Sequence, residues 1–284
     1  MKNTTFYLKR NDIEEFRYYL QERESAKATI EKYIRDVKKF MEYVGKEREI
    51  DKEKLLDYKQ WLVEHYAVSS ANSMLVALNQ FLIFLGKGSL RLRRIRVQRN
   101  DLLGMDKMLE KEEFHKLVKT ARRQGKEQIA MIMETMCATG IRVSELKFFR
   151  VEHLKTGMIR VWNKGKYRIV ILPEALRKKL PVYTGRHGIH SGPIFCTRNG
   201  REKDRSNIWR EMKRVAEMAG VRLEKVFPHN LRHLFARTFY RMTKDLINLA
   251  DILGHSSVEV TRIYASDSIH EWRKSLDRMK LLED

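Results

Sequence analysis

The chain has 284 residues, 43% hydrophobic and 33% charged, and a formal net charge of +21 at neutral pH. That length exceeds one small core and suits two domains of ordinary size. So strong a positive field makes a polyanion, nucleic acid first, the expected partner. A membrane surface is the competing polyanion, but no run of roughly 18 apolar residues occurs, and Met1 to Arg10 lacks the apolar core of a secretory signal, so a soluble protein with no membrane partner is expected. The two cysteines, Cys137 and Cys196, have no metal-ligand spacing, so a structural zinc is not expected. With 14 glycines and 4 prolines, the composition predicts a mainly α protein.

In chain order, helical apolar spacing first appears at Ile13 to Leu20. It recurs from Ser25, as cap, to Gly45, as stop, with Ile30, Tyr33, Ile34, Val37, Phe40, Met41 and Val44 on one face. Two further helices are predicted at Leu55 to Tyr66 and, after a Ser69-Ser70 cap signal, at Met74 to Leu85. Together they make a four-helix bundle over residues 1–88. The pattern then fails, and residues 89–105 read as an extended basic linker. Lys87, just before it, is followed by Arg91, Arg93, Arg94, Arg96 and Arg99, which alternate with Leu92, Ile95 and Val97, and no acidic residue occurs between Glu64 and Asp101. Laid against a duplex, these six cations would release several counterions and make binding steeply salt-dependent.

A second domain is predicted over residues 106–284. Helices are expected at Glu110 to Arg122, Gln128 to Thr139 and Arg142 to Phe149. A small antiparallel β-sheet follows, made of Met158 to Trp162 and Tyr167 to Leu172, with Lys164 and Gly165 at its tip and Pro173 closing it. Helices resume at Ser206 to Ala219, Leu231 to Tyr240, Asp245 to Leu253 and Ser257 to Tyr264, and an amphipathic segment, Ile269 to Leu282, ends the pattern.

Chemistry concentrates in this domain. Attack on a phosphodiester adds negative charge to its nonbridging oxygens, which guanidinium groups meet with planar donors that keep their protons. Arg142, after Thr139-Gly140 where a helix N-terminus is expected to face the anion, and Arg232 are the candidates. His229 lies at i−3 from Arg232, so one phosphate can touch both. His233 at i+4 from His229 resembles half of a zinc motif, but Asn230 stands where the general base belongs, and a core or capping role is the better reading. Tyr264 is the candidate nucleophile; Tyr240 lies among Leu234, Phe235 and Phe239 and reads as core.

The segments Ala138 to Leu146, Pro228 to His233, Leu253-Gly254-His255 and, nine residues on, Tyr264 resemble, in order and spacing, the signature boxes of the tyrosine recombinase (integrase) family. The bundle resembles that family's SAM-like core-binding domain, so the likeness covers almost the whole chain. It implies a tyrosine recombinase catalytic domain in which Tyr264 attacks DNA and forms a 3′-phosphotyrosyl enzyme, a route that calls for no metal or other cofactor. His229 would assist as base, Arg142 and Arg232 clamp the phosphate, and His255 donates a hydrogen bond to it. Lys164 resembles the lysine that protonates the departing 5′-oxygen. One residue fewer separates it from Arg168 than is usual in the family, so Lys166 is the alternative. Glu145 is expected to orient a nearby basic side chain.

By the same resemblance, the partners are double-stranded DNA with paired short inverted repeats and a homotetramer formed on it, with 269–284 docking on a neighbouring protomer. The expected location is cytoplasmic and nucleoid-associated. The bundle begins near Asn11, which leaves no room for an additional amino-terminal DNA-binding domain and points to Xer-like proteins and compact integrases. Two other outcomes fit the residue types: type IB topoisomerase-like relaxation, and a non-catalytic DNA-binding accessory role.

Overall fold

The structure, a computed structural model, describes residues 5–9, 11–45, 48–96, 107–163, 166–197, 199–255 and 257–264. The chain divides into two compact units, Met1–Arg99 and Asn100–Asp284. It is mainly helical with small antiparallel sheets. No helix of the described residues is long and apolar enough to cross a membrane.

In the first unit, helices α1 (Asp12–Glu22), α2 (Lys27–Val44), α3 (Lys52–His65) and α4 (Val68–Phe84) enclose Phe16, Ile34, Val37, Phe40, Leu55, Leu75, Leu78 and Phe81. A feature without periodicity to announce it is the pairing of β1 (Phe6–Tyr7) with β2 (Glu49–Ile50), strands too short for a sequence pattern. The expected cap at Ser25 is displaced: Ala26 occupies the N-cap without a side-chain bond. Ser69 and Ser70 fall inside α4 rather than ahead of it. Beyond α4, Gly88–Leu90 form a 3₁₀ turn, and the chain then doubles back along the helix. Asn79 accepts from the Leu92 N–H at 2.8 Å and donates to the Leu92 carbonyl at 2.9 Å, and Asn72 does the same with Ile95 at 2.8 and 3.0 Å. Seven residues apart, the two asparagines share one face of α4. Leu92 is buried between these clamps while Arg91, Arg93, Arg94 and Arg96 stay exposed.

In the second unit, α5 (Lys111–Arg123) opens with a capping box, the Glu110 side chain bonding the Glu113 N–H and the Glu113 side chain the Glu110 N–H. Helix α6 (Glu127–Thr139) is the core element. Ile129, Ala130, Ile132, Met133 and Met136 are buried on all its sides, as expected of a helix enclosed by neighbours. Strands β3 (Met158–Asn163) and β4 (Lys166–Ile171) pair antiparallel, with Trp162 opposite Tyr167 and Val161 opposite Arg168. Ile159, Val161 and Val170 face the core, so by the strand's two-residue period Arg168 does too. Helix α7 (Glu174–Arg186) is not foreseen from the sequence because Pro181 and Gly185 interrupt it, yet Leu176, Leu180, Tyr183 and Thr184 form a helical buried stripe. Helices α8 (Arg205–Ala219), α9 (Pro228–Thr243), α10 (Leu246–Leu253) and α11 (Val258–Thr261) complete the unit, and a 3₁₀ turn, Arg262–Tyr264, follows α11. The predicted helix at Arg142 to Phe149 is instead a 3₁₀ segment, Val143–Phe148. The terminal segment Ile269 to Leu282 lies outside the described residues.

Candidate active site

The C-terminal ends of α6 and α10, helix α9 and strand β4 converge here. Gly140, at φ +64°, terminates α6, so the carbonyl end of that helix faces the site, while the helix start expected beside Arg142 is that of the 3₁₀ segment Val143–Phe148, with Arg142 as its N-cap. A Cβ at Gly140 would stand 2.4 Å from Phe235, which explains glycine there. Arg232, on α9 and only 4% exposed, answers those carbonyls. Its Nη1 donates to the Gly140 carbonyl at 2.7 Å, and its Nη2 donates to the Leu253 carbonyl at the end of α10 at 2.7 Å and to His255 Nε2 at 3.0 Å. A guanidinium thus caps two helices at their negative ends. Burial, then Arg142 and Arg168, lowers its pKa to about 10, so it stays charged at neutral pH.

Arg142 is held by Glu145. The carboxylate, 1% exposed, accepts from the Arg142 N–H at 2.8 Å and its Nη1 at 3.2 Å. It is also gripped by both terminal nitrogens of Arg168, at 2.7 and 2.9 Å, the two-pronged geometry only arginine supplies. Arg168 Nε donates to the Ile252 carbonyl at 3.1 Å. Burial pushes Glu145 upward, but the Arg168 bonds, the Arg142 N–H and both guanidinium charges bring its pKa down to about 2. Gly254, at φ +62°, lets Arg168 through, since a Cβ there would lie 2.6 Å from the Arg168 Cδ.

The three histidines have different roles in the packing. His229 is exposed at the start of α9 and is held neutral by desolvation on its protein side and by Arg232 and Arg142. His255 is engaged at both nitrogens, by Arg232 and, at 2.8 Å, by the buried Thr261 hydroxyl. Because arginine only donates, His255 Nε2 accepts and Nδ1 carries the hydrogen. Burial and the charges of Arg232, Arg142 and Arg168 depress its pKa to about 4. His233 is not merely packed, as the sequence suggests, for its Nδ1 lies 2.8 Å from the Tyr264 hydroxyl.

Tyr264 is 9% exposed and packs with Ala236, Leu249 and Leu253, against which Phe235, Phe239 and Tyr240 also lie. Burial raises its pKa, while Arg232 and Arg142 pull it down. The structure therefore brings together Arg142, His229, Arg232, His255 and Tyr264. Lys164 and Arg99 lie outside the described residues, as does the Lys166 side chain. Lys87, Arg91, Arg93, Arg94 and Arg96 belong to the first unit. Reading the sequence leaves Thr261 and the asparagine clamps unnoticed. Their only signal is spacing, Thr261 six residues after His255 and the asparagines two turns apart. Among the described residues no His, Cys, Asp and Glu cluster could hold a metal ion.

The phage integrase family model matches residues 107–271, and the model of the phage integrase N-terminal SAM-like domain matches 13–87. Tyrosine recombinase XerA of Pyrococcus furiosus is 28% identical over 281 residues, covering 96% of this chain and 95% of its own. The structure also superposes on XerH site-specific recombinase bound to difH substrate, with a TM-score of 0.66, 21% identity and coverage of 94% of this chain and 89% of that one. A lambda integrase tetramer bound to a Holliday junction gives a TM-score of 0.69 at 18% identity, covering 87% and 77%.

The chain belongs to the phage integrase family of tyrosine recombinases. It is accordingly a DNA strand transferase of site-specific recombination. Topoisomerase-like relaxation and a non-catalytic accessory role are not favoured by these relatives.

Proposed function

We propose that this recombinase cleaves duplex DNA through Tyr264. The phenolic oxygen bonds to phosphorus as the bond to the 5′-oxygen breaks, leaving a 3′-phosphotyrosyl enzyme and a 5′-hydroxyl. The phenolic proton passes to His229, and the 5′-oxygen takes one from Lys164. The ester conserves the energy of the broken bond for rejoining. One observation carries this reading. The three guanidiniums of Arg142, Arg168 and Arg232 face the single carboxylate of Glu145, leaving an excess of two positive charges beside a tyrosine. That excess matches the dianionic character of the phosphorus centre under attack.

The DNA partner is assigned on three grounds: the net charge, the exposed arginines held along α4, and the DNA complexes of the structural neighbours. A cavity of about 760 Å³ in the first unit is lined by Lys32, Arg35, Lys38 and Lys39 together with Asp36 and Glu42, which pair with Lys32, Arg35 and Lys39, so it adds only a small excess of positive charge. The expected assembly is a tetramer on paired inverted repeats, joined through 269–284, acting in the cytoplasm at the nucleoid. Residues 1–88, 89–105 and 106–284 would serve as bundle, linker and catalytic domain.

A nicked duplex library of randomised sequence tests the chemistry. The parental protein should trap a selected duplex covalently, and Y264F should trap none. Adduct on Y264F at the parental level would overturn the assignment. On the selected duplex, a 5′-bridging sulfur, which leaves without a proton, should restore cleavage to K164A. Restoration of K166A instead moves the acid to Lys166.

A further inference from the structure

We infer that His233 is a positioning residue for the nucleophile, holding the Tyr264 hydroxyl through its Nδ1. The claim rests on Tyr264 as the attacking group. Tyr264 ends a four-residue helix and a 3₁₀ turn, elements too short to orient a side chain by themselves. Its ring is fixed by apolar packing, but packing leaves the hydroxyl hydrogen free to rotate. The fold sets His233 Nδ1 2.8 Å from that hydroxyl, with the rings 5.5 Å apart and inclined at 52°.

His233 is well placed for this task. It sits on the four-turn helix α9, directly after Arg232 and one turn beyond His229, so the hydroxyl is indexed to the same rigid rod that carries the phosphate clamp. Burial, then His229, Arg232 and Arg237, keeps its imidazole neutral, with a pKa of about 4. A neutral ring offers one N–H and one lone pair. The arrangement required is the Nδ1–H tautomer, donating to the phenolic oxygen. The hydroxyl hydrogen is then left for His229 and an oxygen lone pair for phosphorus. In the reverse step, the same N–H stabilises the departing phenolate.

Asparagine places an amide close to the position of Nδ1, whereas alanine and glutamine do not. On the duplex selected with the parental protein, single-turnover cleavage at saturating DNA should fall about ten-fold or more in H233A and H233Q, with Kd unchanged. H233N should recover to within about three-fold of the parent. Parental or faster cleavage by H233A, or an H233N as slow as H233A, overturns the inference. A readout independent of cleavage uses 3-fluorotyrosine at position 264. The ¹⁹F titration of the full chain should show a higher phenol pKa in H233A than in the parent, and an unchanged or lower one refutes the donating imidazole. An adduct that survives Y264F would instead remove the reading beneath it.

Discussion

Replacing Glu145 with glutamine keeps the shape of the side chain and removes the charge that two arginines share. In the folded protein, the Glu145 pKa drops from an ordinary 4.5 to about 2. At 1.36 kcal/mol per tenfold change, that fall corresponds to about 3 kcal/mol of folded-state stabilisation. Because the folded pKa is the lower one, this contribution is complete above about pH 4.5 and is lost as pH falls toward 2. Burial works in the opposite direction, since an unpaired carboxylate at this depth would be pushed up, so the stabilisation comes from Arg168 and Arg142. Urea unfolding of parent and E145Q at several pH values measures it. The gap between them should be about 3 kcal/mol at pH 7 and narrow steadily below pH 4.5. A gap as wide at pH 3 as at pH 7, or one below about 1 kcal/mol at pH 7, refutes the ion triad as the source.

G254A should destabilise the second unit by about 1–2 kcal/mol, because it combines a left-handed backbone with a clash on the Arg168 side chain; an unchanged melting temperature contradicts this. In the double variant N72A/N79A, the Leu92 and Ile95 amides should lose hydrogen-exchange protection while α4 keeps its own, each lost bond costing about 1 kcal/mol. Persistent protection at both amides would show that burial of Leu92 alone holds the segment. R94A should weaken DNA binding and reduce the slope of log affinity against log salt by about one. R232A should instead abolish cleavage with little change in DNA affinity. It should also cost about 2 kcal/mol or more of stability, because the Gly140 and Leu253 carbonyls lose their donor. Equal loss of binding and cleavage in both variants contradicts this division between backbone contact and catalysis.

Much of the architecture was legible because it rests on local rules. The stripe from Ile30 to Val44, the glycine stops at Gly45 and Gly220, and the alternation in β3 and β4 each follow from residues close in the chain. Helix α7 was hidden by Pro181, and the pairing of β1 with β2 joins residues more than forty positions apart. At Arg142 the expected helix start is a 3₁₀ turn, and nothing local announces that the carbonyl end of α6 beside it faces Arg232.

By itself, the sequence determined which chemical groups this protein has and their order, because the chemistry proposed for it calls for particular residue types. The resemblance of its boxes to a family likewise needed no coordinates. Only the tertiary structure decided what each group touches. Arg232 is anchored to the ends of α6 and α10, Glu145 is shared between Arg142 and Arg168, His255 is tied to Thr261, and His233 rather than His229 meets the Tyr264 hydroxyl. The physical reason is that hydrogen-bond partners are chosen at about 3 Å. Helix periodicity fixes which face a side chain takes, but the packing of α6, α9 and α10 around one core fixes what lies within that distance.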